Sequence, residues 1–169
     1  MAKQISLREF QHGLAQRLRE AQAETEPTSR LGVQAGSRNW LLKLGDAGEM
    51  LPLPEISGVP LTKSWYLGLA NIRGVLASVV DFAAFTGGEP TVRTPDCRLL
   101  LIAERFNSFS GLVIGRMLGL KNVQAMQPAE AEGERPWLGA AYRDEDRRLW
   151  HELNIGALVS HDDFLHVGA

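Results

Sequence analysis

The chain of 169 residues is 44% hydrophobic and 22% charged, a composition typical of one globular domain or two small, closely packed subdomains. A formal net charge of −2 argues against a nucleic-acid-binding protein, for which a basic surface is expected. Cys97 is the single cysteine, which excludes an internal disulfide and a cysteine-rich zinc site. No apolar run approaches the roughly 18 residues of a membrane span, and no secretory signal opens the chain. We therefore expect a cytoplasmic protein without direct membrane insertion.

Residues 1–24 are predicted to form an amphipathic helix. Ser6 and Glu9 have the spacing of a capping box, in which each side chain bonds a free amide at the start of a helix. Apolar residues then recur at intervals of three or four, at Leu7, Phe10, Leu14, Leu18 and Ala21. This stripe packs either on the body of the protein or on a partner helix or another subunit. Residues 25–30 contain Pro27 among polar side chains and are predicted to be a linker.

The remainder of the chain is predicted to be mainly β. Short apolar segments recur about every ten residues, separated by turn-forming residues, which favours a sandwich or barrel over a βαβ fold. A short helical turn is predicted at 83–88, and Asn154 is predicted to cap a helix at 155–159. Two strand clusters on either side of residues 86–95 suggest two small barrels. The predicted strands are 31–35, 40–44, 75–82, 98–104, 111–115, 121–126, 137–142 and 147–152.

The run from Gly68 to Gly74 carries the clearest functional signal. Arg73 is its one charged side chain and comes just before the apolar segment 75–82, which is predicted to be a buried strand. An arginine cannot act as a base, but it offers a rigid fork of hydrogen-bond donors. Two interpretations remain open: Arg73 bonds carbonyl groups of its own turn, or it contacts a partner. The absence of an acidic neighbour in the sequence favours the second.

The motif around Arg73 resembles that of a known family. Asn71-Ile72-Arg73-Gly74 and Val79-Val80-Asp81-Phe82 are similar to the signature of CheW, the bacterial adaptor that joins chemoreceptors to the histidine kinase CheA. The resemblance covers residues 31–165. Segments 52–56 and 150–155 are most similar to the members that serve type IV pilus (twitching motility) systems. Leu61 departs from the family, which usually has glycine there, and Ala77-Ser78 stands where proline is common.

The resemblance implies a fold of two five-stranded, SH3-like barrels that share an apolar seam, preceded here by the N-terminal helix. It implies a non-enzymatic adaptor without a cofactor, whose partners are the cytoplasmic tip of a methyl-accepting chemoreceptor and the regulatory domain of a CheA-type kinase. Arg73 corresponds to a residue at the adaptor's interaction surface, and Glu49 to one implicated in coupling. Asn71 and Gly68, from the same motif, complete the expected partner-binding set.

Two functions from other classes are alternatives to the adaptor. The C-terminal residues His161, Asp162, Asp163 and His166 could hold a metal in a small hydrolase, although their spacing matches no metal motif. The chain also lacks a phosphate-binding glycine loop and a nucleophile motif, so no catalytic residue is predicted. A nucleic-acid-binding barrel is disfavoured by the acidic balance of charge.

Overall fold

The computed structural model describes residues 28–169, so the predicted N-terminal helix and the first half of the linker, residues 25–27, lie outside the described residues. The described part contains three short helices, α1 (Phe82–Phe85), α2 (Ile155–Val159) and α3 (Asp162–Leu165). Its eleven strands are β1 (Ser29–Ala35), β2 (Arg38–Lys43), β3 (Ala47–Pro52), β4 (Tyr66–Ile72), β5 (Val75–Asp81), β6 (Arg98–Ile102), β7 (Ser110–Ile114), β8 (Arg116–Asn122), β9 (Gln127–Ala129), β10 (Leu138–Arg143) and β11 (Leu149–Leu153).

Six strands form one mixed sheet in the order β8-β1-β2-β11-β10-β9. All neighbours are antiparallel except β2 and β11, which run parallel. The two edge strands, β8 and β9, are consecutive in the chain and are separated by a 3₁₀ turn at Val123–Ala125. One bent segment of chain therefore pairs with both ends of this sheet.

The other sheet has five strands in the order β3-β6-β7-β5-β4, with β5 and β7 parallel. Its edges are also connected through one stretch of chain. Ser57, which follows β3, exchanges two backbone hydrogen bonds of 2.8 and 2.9 Å with Leu69 of β4. The predicted total of two five-stranded units thus becomes six strands plus five, because the 3₁₀ turn divides one bent segment into β8 and β9.

The strands at the centre of the five-stranded sheet are largely apolar because most of their side chains are buried on one face or the other. Val80, Leu100 and Leu112 face a core that is shared with residues of the six-stranded sheet, such as Trp40 and Leu42. Their neighbours on the same strands face a second, smaller cluster. Alternation along each strand delivers successive side chains to opposite faces, so one apolar run serves both cores.

Seven of the eight strand predictions are confirmed, and the one at 121–126 is misplaced. Strands β1, β2, β5, β6, β7, β10 and β11 and helix α2 lie within about two residues of the predicted segments. Strand β1 begins at Ser29, inside the segment 25–30 that is predicted to be a linker. The segment predicted at 121–126 contains only the last two residues of β8 and then the 3₁₀ turn, so the strand comes earlier. Strands β3, β4 and β9 and helix α3 were not predicted.

Within residues 28–169, no helix has the length and apolar character needed to cross a membrane.

Candidate functional site

Arg73 lies in the turn of the hairpin formed by β4 and β5. Ile72 pairs with Val75, so only Arg73 and Gly74 connect the two strands. Both have positive φ, 53° and 87°, which is the requirement of a type I′ turn. The Asn71 side-chain oxygen accepts a 2.7 Å hydrogen bond from the Gly74 backbone N–H and braces the turn. The site begins, therefore, with a two-residue turn that projects an arginine from the end of the sheet.

Glu49 reaches the same place from a β-bulge in β3. Ala47 pairs with Ile102 and Met50 pairs with Leu100, so Gly48 and Glu49 together lie opposite the single residue Leu101. An extra residue of this kind bends the strand and re-aims its side chains. Glu49 accordingly meets a residue 24 positions away in the sequence.

The two side chains form a bidentate ion pair. The Arg73 Nη1 and Nη2 atoms donate to the two carboxylate oxygens of Glu49 at 2.7 and 2.5 Å. The pair stays accessible, because the Arg73 side chain is 72% exposed and that of Glu49 42% exposed. The hydrogen bond from Arg73 lowers the pKa of Glu49 below its ordinary value, and the hydrogen bond to Glu49 raises the pKa of Arg73. Both groups are therefore charged at neutral pH.

An apolar groove of about 740 Å³ adjoins the ion pair. Ile72, Val75 and Leu101 contribute apolar wall, and Phe109 stands at the rim with 69% of its surface exposed. A large aromatic side chain and an arginine next to a groove are the residue types that dominate binding energy in protein interfaces. The surface defined by Glu49, Arg73, Val75 and Phe109 is called the hairpin surface below.

Two of the four predicted partner-binding residues belong to this surface, and the other two shape it. Asn71 supports the turn from behind. Gly68 is buried in β4, with φ of 130°, and a Cβ there would lie 2.0 Å from the Ser57 carbonyl oxygen. Gly68 is therefore placed to let the Ser57 segment approach the sheet, and its part in partner binding remains a prediction.

The C-terminal histidines and aspartates contact their own helix α3, and Asp163 also pairs with Arg135 at 3.7 Å. His161 Nδ1 accepts from the Asp163 backbone N–H at 3.2 Å and so caps α3. The His166 Nδ1 atom lies 3.0 Å from the Asp162 carbonyl oxygen. Within residues 28–169, no three histidine, cysteine, aspartate or glutamate side chains are grouped as a metal site would require. This part of the structure gives the hydrolase alternative no support.

The sequence missed the partnership of Arg73 with Glu49 and the presence of Phe109. The pairing depends on the β3 bulge, which a segment containing glycine and proline but no β-branched residue did not indicate. Phe109 lies between Ser108 and Ser110, in the connection between the predicted strands 98–104 and 111–115. An aromatic residue in such a loop is a signal that could have identified the groove.

Comparison with known proteins agrees with this geometry. Residues 30–163 match the family described as CheW-like domain. The chain is 28% identical to Protein PilI of Pseudomonas aeruginosa over 160 residues, which cover 91% of this chain and 88% of that protein. Its fold is similar to the crystal structure of the scaffolding protein TtCheW from Thermoanaerobacter tengcongensis, with a TM-score of 0.64 and 14% identity, covering 80% of this chain and 94% of the other. The family match spans both sheets and the hairpin surface, and the chain belongs to the CheW-like domain family of non-enzymatic scaffolds.

Proposed function

We propose that this protein is an adaptor that couples methyl-accepting chemoreceptors to a CheA-type histidine kinase. The observation that carries the proposal is the exposed, bidentate Glu49–Arg73 pair, formed by motif residues of a CheW-like chain and set beside an apolar groove. Such a surface combines a charged group of fixed geometry with apolar area, which suits recognition of a protein partner. The two partners are the cytoplasmic receptor tip and the kinase regulatory domain.

The mechanism is positional rather than chemical. A scaffold that contacts both partners can shift the kinase between two arrangements only if its contacts differ between them. The Glu49–Arg73 pair suits this role because its hydrogen bonds can be kept, shared or exchanged when a partner arrives. The preformed turn also keeps the guanidinium in place before binding, which reduces the entropy lost on association.

We further propose that the pathway controls type IV pili and twitching motility. Support comes from segments 52–56 and 150–155, which resemble the pilus-type members, and from the similarity to Protein PilI over most of the chain. A strain lacking this chain should lose twitching, and the intact chain should restore it. Normal twitching in the deletion strain, with a defect in swimming instead, would contradict the pilus assignment but leave the adaptor proposal standing.

Binding of the full chain to each purified partner tests the adaptor directly. Arg73→Glu should weaken binding to at least one partner by roughly 30- to 5,000-fold, as expected when a charged hydrogen bond is lost from a desolvated interface. Arg148→Glu is the matched control, since Arg148 is also an exposed arginine with a short ion pair, to Asp146. Calorimetric titration measures both. Unchanged affinity of Arg73→Glu for both partners would remove the hairpin surface from the interface.

Exchanging the two charges distinguishes direct contact of Arg73 with the partner from a purely structural role of the ion pair. In the double variant Glu49→Arg/Arg73→Glu, an ion pair can form again with its ends reversed. If the pair only holds β3 against the hairpin, the exchange should restore binding. We expect binding to stay weak in the double variant, because the partner binds a guanidinium at position 73 in the turn. Recovery of full affinity would assign Arg73 a supporting role.

A further inference from the structure

An apolar shelf lies along one edge of the six-stranded sheet. It consists of Leu31 on β1 and of Met117 and Leu120 on β8, the last two being 51% and 67% exposed. Among the described strands β8 pairs only with β1, so its outer side is open. Leu31 packs against the shared core, so the exposed shelf is continuous with the apolar core.

A β-bulge is what brings the three residues onto one face. Leu31 pairs directly with Leu120, and Val33 pairs with Met117. Residues opposite each other in antiparallel strands have their side chains on the same face, and so do Leu31 and Val33, two positions apart. Met117 and Leu120 are three apart and would face opposite ways in a regular strand. The register shift at Gly32/Val33, where Gly119 has φ of 80°, places one extra residue in β8, so Met117 and Leu120 lie on the same face.

The N-terminal part of the chain reaches the body of the protein beside this shelf. The Thr28 carbonyl oxygen accepts a 3.0 Å hydrogen bond from the Val123 N–H, and Ser29 pairs with Asn122. Asn122 is two residues from Leu120, or about 7 Å along the strand. The six residues 22–27 between Ala21 and Thr28 can span at most about 20 Å. The end of the apolar stripe is therefore held within roughly 30 Å of Leu120.

We propose that the apolar stripe of the N-terminal segment, Leu7 to Ala21, docks on the shelf within the same chain. An amphipathic stripe and an apolar shelf that residues 28–169 leave exposed, joined by the six residues 22–27, satisfy each other's need for burial. The short tether gives an effective concentration of about millimolar or more, so a small contact suffices. Three side chains are too few for a stable dimer, which buries about 1,200 Å² or more, so a second copy is the weaker occupant.

Disulfide trapping tests the proposal in the full chain. Cys97 is buried and is first replaced by alanine, which leaves no native thiol. Leu120→Cys is then combined with Leu14→Cys or Leu18→Cys on the stripe, or with Glu20→Cys on the opposite side as the matched control. We expect at least one stripe pair to form an intramolecular disulfide ten or more times faster than the control pair. Equal rates for all pairs, or mainly intermolecular products, would overturn the proposal.

Thermal melting of charge substitutions gives an independent measurement. Leu14→Glu and Leu120→Glu should each lower the melting temperature of the full chain, and the double variant should lie no lower than the worse single variant, because both break one contact. Val92→Glu, at an apolar residue that is 79% exposed, is the control and should shift melting equally with or without Leu14→Glu. Fully additive losses at Leu14 and Leu120, or no loss at either, would show that the stripe does not cover the shelf.

Discussion

Arg73 holds a backbone conformation that ordinary side chains avoid. Left-handed φ crowds the Cβ atom against the backbone, and two-residue hairpin turns of this type favour Asn-Gly. The chain has Arg-Gly instead. A residue that is unfavourable for its turn and leaves its guanidinium in solvent is better explained by what it binds than by what it stabilises.

Arg73→Asn should therefore separate stability from function. We expect the melting temperature to stay the same or rise by roughly 1–4 °C, since asparagine suits the turn, while partner binding is lost. Arg147→Asn is the matched control, because Arg147 is another exposed arginine with positive φ, 62°. It should gain similar stability and keep full binding. A marked loss of stability on Arg73→Asn would mean that the ion pair with Glu49 supports the fold.

Leu61 combines a left-handed backbone with a side chain that is 87% exposed. Leu61→Gly should relieve about 1–2 kcal/mol of backbone strain and lose about 0.5–1 kcal/mol through the greater freedom of the unfolded chain. The net result is a stabilisation of up to about 1.5 kcal/mol, seen as a rise of a few degrees in melting temperature. Val92→Gly, at an exposed residue without positive φ, should instead destabilise. A lower melting temperature for Leu61→Gly would show that the leucine has stabilising contacts.

His151 is predicted to make the protein sensitive to acid. Burial lowers its pKa, and the nearby Arg38 lowers it further, while Glu132 opposes the shift. The Nε2 atom accepts a 3.0 Å hydrogen bond from the Glu132 N–H, which a protonated ring could not do. The unfolded chain, with a histidine pKa near about 6.5, binds a proton more readily than the folded chain does.

Stability from this group should be complete above about pH 6.5 and should fall as the pH drops through the lower, folded-state pKa. Denaturant unfolding between pH 7.5 and 5 measures the dependence, and His151→Gln, which cannot titrate, should flatten it. An identical pH profile for the two proteins would show that His151 does not contribute.

At the scale of elements, Gly68 determines how the segment after β3 meets β4. Gly68→Ala would place its Cβ against the Ser57 carbonyl and force φ of 130° on an alanine. We expect a loss of about 2 kcal/mol or more in the free energy of unfolding. Gly58→Ala is the matched control, because nothing lies within 4 Å of a Cβ there, and it should be nearly neutral. Equal stability of the two variants would show that the Ser57 segment moves freely.

The elements that were predicted correctly are those whose own residues show the signal, as an apolar run or a helix-capping side chain. Strands β5, β6 and β7 contribute to two cores at once and are largely apolar, and the Asn154 side-chain oxygen caps α2 by accepting a 3.0 Å hydrogen bond from the Ala157 N–H. Strands β3 and β9 contain proline, and β4 contains Gly68, so their pairing depends on bulges and bridges between distant segments. The secondary-structure propensity of a short segment does not depend on such contacts, so it could not predict these strands.

The candidate site divides in the same way. The motif indicated Arg73 and Asn71, because a turn and its bracing side chain lie within four residues. The ion pair could not be foreseen, since it requires β3 and the β4–β5 hairpin, at opposite edges of one sheet, to approach each other at one end. The sequence places Gly68 and Glu49 in one partner-binding set, and the structure distinguishes them, because Gly68 is buried and Glu49 is exposed.

For the molecule as a whole, the shared core places the two sheets in fixed relation. Trp40 from one sheet and Phe82, which follows the other, meet edge to face with ring centroids 4.9 Å apart. Close packing of this kind transmits displacement rather than absorbing it. The hairpin surface and the apolar shelf lie on different sheets, so a partner at one and the N-terminal segment at the other can bind together.

Removing residues 1–24 tests whether the rest of the chain folds without the N-terminal segment. All the described strands lie within residues 28–169, so the truncated chain should still unfold in one cooperative transition. Its melting temperature should nevertheless fall by several degrees, because each apolar side chain that loses full cover costs up to about 1.5–3 kcal/mol and those on the shelf are only partly covered. Calorimetry of both chains measures the two effects together.

A cooperative transition with no change in melting temperature would contradict docking on the shelf but would agree with the predicted domain boundary. Loss of cooperativity would show instead that the N-terminal segment completes the core itself.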